Sequence, residues 1–518
     1  MSNVQILRPW RWVIGGLAAV LVLAGLGVAA TPFLATMIRG RIIGLLQRHY
    51  GAQLQVRRLD VTLFPVIEIT GDDLVLRQND RPEAPPLISV HKFATSTNLI
   101  EMIAAPPRVH RLILEGLQIQ VSRRHKMNQE PEKPRTKKVP DFIIDTVEAN
   151  GAVVTVIPAD PRKEPLQFLL KRLRLTSSGT ARPMSFRALL TNAKPPGDIR
   201  TTGRFGPWNQ RDPDQTPVQG EYTFQDADLS VFRGILGTLS SNGGYHGVLE
   251  RIEVDGKTDV PDFALKISRN PVHLKTQFHA VVDGTDGDTL LEPVQARFGT
   301  AVVNARGGVE GKPGTHGKTV RLDVDASGQL ADMLRLGVKG QRAPMSGDIR
   351  FQTTLIVPPG DVDIAQKLQL NGRFQIASAH FSQLSIQEKV NSLSHAGEGH
   401  PRKSKTEIVA SDFAGRFGLD QGVMAFRNLS FCVPGVDVRL QGRYGLLDER
   451  LDFRGKARLE AELSDTTTGW KSLLLKAVNP FFKKDAAGAV VPFTVTGTRD
   501  DPDFGLDLHS RARKERHR

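Results

Sequence analysis

The chain has little of what metal, redox or disulfide chemistry requires. Among its 518 residues there is one cysteine, Cys432, which excludes an intramolecular disulfide framework and a multi-cysteine zinc or iron–sulfur site. Aromatic residues make up only 6%. No H-E-x-x-H and no G-x-S-x-G occurs anywhere. GKPGTHGKT (311–319) imitates a phosphate loop, but five residues separate its outer glycines where four are needed, and a strand pattern follows where a helix must supply its dipole. Asp283, Asp286 and Asp288 imitate a calcium loop without its spacing or its bidentate Glu, and a tight turn is expected there. His273 and His279 share a strand face about 20 Å apart, too far to ligate one metal. No enzymatic activity, cofactor or metal is expected.

Acidic charge is also in deficit, with 69 Lys+Arg against 55 Asp+Glu and a formal charge of +14. The basic stretch at 122–140 could be mistaken for a nucleic-acid patch, but its Pro content and lack of apolar periodicity mark a flexible basic linker. With 40% hydrophobic residues, 48 Gly and 32 Pro, the chain is too apolar for disorder and too turn-rich for a helical bundle.

Charge is absent altogether between Trp12 and Ile38. Those residues would make about 40 Å of helix against a hydrocarbon core of about 30 Å, so a single transmembrane helix is expected at 12–38. A cleaved signal peptide ending at Val28-Ala29-Ala30 is the rival reading. Residues 1–11 are expected to form a cytoplasmic tail, with the bulk of the chain on the far side, although Arg39, Arg41 and Arg48 outnumber Arg8 and Arg11. Long domains translocate largely regardless of charge.

After an amphipathic stretch at 34–51, the hydropathy period becomes two. Val272, Leu274 and Phe278 lie on one face of a strand, as do Val320 and Leu322, Leu370 and Phe374, Val438 and Leu440. Leu451, Phe453 and Leu459 share a face opposite Asp452, Arg454 and Lys456. These twelve apolar residues are the candidate ligand-facing set. Such strands want one side of an antiparallel sheet dry and the other wet. Few helices are available to cover the dry side: short ones are expected near 98–105, 228–239, 330–337 and 382–395. A longer one is expected at 469–484, where Trp470, Leu473, Leu474, Val478, Phe481 and Phe482 form an apolar stripe, interrupted by Pro480. It could lie on a bilayer, cap a groove, or serve as core. GKTDVPDFALKI (256–267) and GTRDDPDFGLDL (497–508) repeat one turn-then-strand pattern. A second sheet, making a β-sandwich, or lipid chains could complete the burial.

QLQVRRLDVTLFPVIEITGDDLVL (53–76), PPLISVHKF (85–93) and RVHRLILEGLQIQV (108–121), behind a single N-terminal span, resemble the opening of the AsmA family of Gram-negative envelope proteins. The C-terminal segments at 411–453, 469–484 and 491–504 are similar to that family as well, and 222–241 looks like AsmA-type proteins of soil bacteria. The resemblance implies an inner-membrane-anchored periplasmic protein of the repeating β-groove type, related to TamB and YhdP. It also implies phospholipid binding and transport towards the outer membrane, without catalytic residues.

The expected fold is mainly β: a long, twisted antiparallel sheet curled into an open apolar groove, with few short helices. The expected divisions are an N-terminal β region at 39–121, a β-groove region at 141–468, terminal strands at 485–508 and a basic tail at 509–518. The expected partners are membrane phospholipids, not nucleic acid. A structural or assembly factor working through sheet edges is the alternative, and a hydrolase with paired carboxylates is third.

Overall fold

The computed structural model describes residues 52–62, 67–78, 86, 88–97, 108–122, 143–176 without 159 and 161, 183–207, 215–397 without 341 and 383, 410–459 and 490–507. The expected span at 12–38, the stretch at 34–51, the helices at 98–105 and 469–484, the tail at 509–518 and nearly all of the linker at 122–140 lie outside these residues. Among the described residues no helix is long and apolar enough to cross a membrane.

Twenty-six strands lie among the described residues. The first group comprises β1 (Ala52–Gln55), β2 (Arg58–Thr62), β3 (Ile67–Gln78), β4 (Ile88–Thr97), β5 (Arg108–Glu115), β6 (Gln118–Ser122) and β7 (Ile143–Ile157). Next come β8 (Leu166–Thr176), β9 (Met184–Ala193), β10 (Pro196–Phe205), β11 (Pro217–Asp228), β12 (Ile235–Leu236), β13 (Thr238–Val248), β14 (Arg251–Leu265), β15 (Val272–Val282), β16 (Thr289–Phe298), β17 (Ala301–Gly311) and β18 (Lys318–Gln329). The chain closes with β19 (Met345–Val357), β20 (Gln369–Phe381), β21 (Ser411–Asp420), β22 (Val423–Val433), β23 (Val436–Gly445), β24 (Leu451–Leu459), β25 (Val490–Gly497) and β26 (Pro502–Leu506).

Pairing follows chain order. β1 and β2 both pair with β3, β5 and β6 both pair with β4 and β7, and β12 and β13 both pair with β14, so each couple is one strand broken in two. The 26 strands therefore occupy 23 positions in one sheet. Every pairing is antiparallel except that of β5 and β6 with β7. A parallel pair needs a crossover of a dozen or more residues. The chain between β6 and β7 is residues 123–142, which lie outside the described residues.

The described strands thus form a single sheet and not a sandwich. Where helices occur they are short: α1 (Leu330–Gly337), α2 (Ile364–Lys367) and α3 (Leu384–Gly397). The first and third fall where the sequence places them. The helix expected at 228–239 is instead one 3-10 turn, Leu229–Val231, capped by Asp228, followed by β12 and β13. Gly234 and Gly237, at φ 96° and 133°, hold conformations a helix does not use. The repeated DxPDF pattern is not a repeated structure either. Its first copy sits inside β14 at a register shift between Val260 and Phe263, while its second spans the β25–β26 turn.

The dry face is covered unevenly. Near the N-terminus Ile69, Ile88, Val90, Leu112 and Leu114 are essentially inaccessible. At the other end, α3 lies over β20 and β23, its Val390 packed among Phe374, Phe413, Phe431, Val436 and Val438. Phe413 stacks on Phe431 with ring centroids 5.2 Å apart. Between these ends, apolar side chains of β15 to β18 such as Phe278, Val294, Leu322 and Val324 are only partly buried.

Candidate functional site

Register determines what lies beside what, and here it produces an uninterrupted uncharged row across the sheet. From the N-terminal side it runs Leu59, Gly71, Phe93, Leu114, Ala149 and Leu173, each opposite the next. It continues through Ala188, Thr201, Tyr222, Gly243, Gly256 and Phe278. Val294, Ala305, Val324, Thr353 and Gly372 follow. It ends with Phe417, Phe426, Gly442, Phe453, Val495 and Phe504. No charged residue occurs at any of the 23 positions. Two strand residues away, a parallel row through Ala280, Leu291, Gly307, Leu322, Leu355 and Leu370 is uncharged as well.

At several places in and beside the row a glycine stands opposite an aromatic residue, for a steric reason. A Cβ added at Gly256 would lie 2.5 Å from Phe278 Cζ, and one at Gly442 would lie 2.6 Å from Phe453 Cδ1. Phe93 lies over Gly71 in the same way, and the Tyr245 ring over Gly220. Each ring therefore rests on the backbone of its neighbour and paves the sheet, where a side chain opposite would have made it stand. Cross-strand pairs of this kind stabilise a sheet without a second layer above it.

The two tyrosines on this face are satisfied internally. Thr201 Oγ1 donates to the Glu221 carbonyl at 2.8 Å, so the Tyr245 hydroxyl, 2.7 Å away, must donate to Thr201. Ser241 Oγ donates to the Lys257 carbonyl at 3.0 Å and accepts from Tyr222 at 3.2 Å. Burial pushes both tyrosine hydroxyls up, and these bonds offset it only in part. These two tyrosine hydroxyls thus spend their protons within the sheet.

All twelve candidate residues fall on this dry face. Three of them are packing residues, a correction to their expected exposure: Phe374, Val438 and Leu459 are 8%, 1% and 4% exposed within the C-terminal core. Leu440 packs against the same cluster. Val272, Leu274, Phe278, Val320, Leu322, Leu370, Leu451 and Phe453 stay partly accessible. Trp470, Leu473, Leu474, Val478, Phe481 and Phe482 lie outside the described residues.

The opposite face is polar, and some of its charges pair across strands. His279 and His273 each meet their own carboxylate, Asp255 at 2.9 Å and Asp259 at 2.6 Å. Among the described residues no group of three metal-ligating side chains converges.

Sequence reasoning missed how the two long edges of the sheet relate. Because strands from β7 onward alternate in direction, the loops after β7, β9, β11, β14 and β18 lie on one edge. Those after β15, β17, β19, β23 and β25 lie on the other. Yet Lys163, after β7, donates to Asp286 at 2.6 Å and Asp288 at 2.8 Å, after β15. Gly314 N–H donates to the Arg162 carbonyl at 3.0 Å, and His316 meets Glu164. Ile364 N–H, after β19, donates to the Arg233 carbonyl at 2.8 Å, after β11. Arg499, after β25, donates to the Lys339 carbonyl at 2.6 Å, after β18.

These partners stand seven to nine strand positions apart, about 34–43 Å along a flat sheet. Only a sheet wound so that its edges meet can bring them together. At the first of these contacts burial pulls the Lys163 ammonium down, but its bonds to Asp286 and Asp288 prevail and raise it. Burial raises Asp288, while Lys163, the Gly311 N–H and Lys318 together hold it below the usual carboxylate range. An ammonium thus sits between the aspartates whose pattern only imitates a calcium loop.

Compared with known proteins, the chain matches no family model, no curated protein and no solved structure.

Proposed function

We propose that this protein binds the acyl chains of phospholipids along the uncharged face of its wound sheet and assists their passage between the inner and outer bacterial membranes. The observation that carries the reading is the uncharged row in register over all 23 strand positions, partly accessible in its central stretch. Laid out at about 4.8 Å per position, it is a track of about 105 Å before twist. Winding that brings the two edges together with the dry face inward makes that track the floor of a groove. Burying a methylene there is worth about 0.8 kcal/mol, and no charge along the row would stop a chain from sliding.

On this reading the chain is an AsmA-like protein and not an enzyme. Residues 12–38 anchor it in the inner membrane by a single pass, and the sheet lies in the periplasm. The helix at 469–484 lies on the bilayer or caps the groove. The alternative, an assembly factor acting by sheet-edge contacts, draws support from β26, whose Phe504 is exposed and which pairs only with β25 among the described residues.

Site-specific photo-crosslinking in cells separates the two. A benzophenone residue at Phe278 or Leu322 is expected to capture phospholipid, and one at the neighbouring Gln277 or Arg321 is not. Capture of protein at all four positions, without lipid, would replace the conduit by the assembly reading.

A further inference from the structure

Where the two edges meet near the middle of the molecule there is a cavity of about 880 Å³, lined by Arg233, Ile235 and Leu236 from one edge, Lys266 after β14, and Val362 and Asp363 from the other edge. A second cavity of about 490 Å³ adjoins it, sharing Lys266 and Asp363 and adding Arg269, Lys339 and Leu447.

Charge there is out of balance. Four cations, Arg233, Lys266, Arg269 and Lys339, line the two cavities against two carboxylates, Asp361, which meets Lys194 at 3.7 Å, and Asp363, whose Oδ1 accepts the Ala365 N–H at 2.9 Å. No carboxylate of the described residues pairs with Arg233, Lys266, Arg269 or Lys339. Nearby Lys367 is held below the ordinary lysine range, by burial first and then by Lys194. Arg269 itself sits at φ 57°, a left-handed conformation costly for a long side chain.

Beside these cations stand Val362 and Leu447, 52% and 51% exposed, the two most exposed large apolar side chains among the described residues. A free inorganic anion would have no use for them. A ligand with an anionic end and an apolar end would use both.

We infer that this seam cavity is a head-group site for anionic phospholipids, with Arg233, Lys266, Arg269 and Lys339 taking the phosphate and Val362 and Leu447 taking the first methylenes. The inference rests on the lipid-binding reading above and adds where a lipid crosses the seam and which charge class is selected. Guanidinium and ammonium groups donate charge-assisted bonds to phosphate oxygens. A zwitterionic head group brings a cation that this surplus repels.

The test uses the full chain in nanodiscs of phosphatidylcholine, titrated with dihexanoyl phosphatidic acid, dihexanoyl phosphatidylcholine and inorganic phosphate. Phosphatidic acid is expected to bind at least about tenfold more tightly than either of the others. The double variant Lys266→Gln/Arg269→Gln is expected to lose about tenfold for phosphatidic acid. Val362→Ser/Leu447→Ser is expected to weaken phosphatidic acid and leave inorganic phosphate unchanged. All four residues are exposed, so these variants are expected to fold.

Unchanged affinity in Lys266→Gln/Arg269→Gln would overturn the inference. Inorganic phosphate binding as tightly as phosphatidic acid would overturn it too, leaving an anion site only. The same preparations are crosslinked at Phe278. Lipid capture there, with no phosphatidic acid preference at the seam, would sink the head-group site alone, whereas loss of lipid capture in the wild-type chain would sink the lipid-binding reading beneath it.

Discussion

The strands from β19 to β25 and those from β9 to β18 share one sheet and one hydropathy pattern, yet they use their dry faces differently. In the C-terminal stretch Phe374 lies within 6.0–6.3 Å of the rings of Phe413, Phe417 and Phe426, and α3 covers the face. In the central stretch Phe278 rests on Gly256 and its outer side is only partly covered. Alternation alone therefore does not make a core. It makes a dry face, and a core follows only where a second element lands on it.

The sharpest way to break this comparison is a buried charge. Val438→Asp places a carboxylate with no partner in the C-terminal core and is expected to cost about 4 kcal/mol or more. Leu322→Asp in the central stretch is expected to cost about 1–2 kcal/mol, because water or ligand can reach the new group. Urea unfolding of the two variants decides it, and equal losses would mean that the central face is as well covered as the C-terminal one.

Large-to-small changes sharpen the same contrast at lower amplitude. Phe374→Ala is expected to lose about 3–5 kcal/mol, the range for a buried ring. Phe278→Ala is expected to lose about 1–2 kcal/mol, and more when lipid is present, because the ring would then be fully covered. Thermal unfolding with and without added phospholipid measures both.

The third contrast is between sheet and seam. Lys163→Met leaves Asp286 and Asp288 facing each other in a largely buried turn and is expected to cost about 2 kcal/mol. The pH dependence follows from Asp288, whose carboxyl is held low in the folded state. Its stabilisation is complete above the unfolded carboxylate range and is lost as pH falls below about 4. Without Lys163 the depression shrinks, so stability is expected to vary less with acid in Lys163→Met. Urea midpoints between pH 3 and pH 6 would check this, and equal slopes would mean that the ion cluster does not hold the edges together.

The smallest effect concerns the polar face. Arg373, Arg416 and Arg427 stand directly opposite one another on three successive strands, an arrangement of like charges that weakens a sheet. Arg416→Glu is expected to stabilise by about 0.2–1 kcal/mol, read as a small rise in unfolding midpoint that salt diminishes.

Much of this was legible before any coordinates. The alternation at 272–282, 318–326 and 436–444 assigned each residue to its face correctly, and of the short helices expected at 330–337 and near 382–395 the first is found there and the second at Leu384–Gly397. Less legible was the stretch at 228–239, where an apolar run with two glycines reads as a helix until those glycines are seen at positive φ. The paired aspartates at 286 and 288 could not announce Lys163, which lies 123 and 125 residues earlier in the chain.

What the sequence determined by itself is therefore local: period two, and with it which side chains are dry, because successive Cβ atoms must point to opposite faces of a strand. Which dry residues sit side by side depended on register, on the bulges that shift it and on the crossover at 123–142. Which of them are covered depended on where α3 and the seam loops come to rest. Those outcomes arise from the accumulated twist of 23 strand positions, a property of the whole sheet that no single strand's sequence contains.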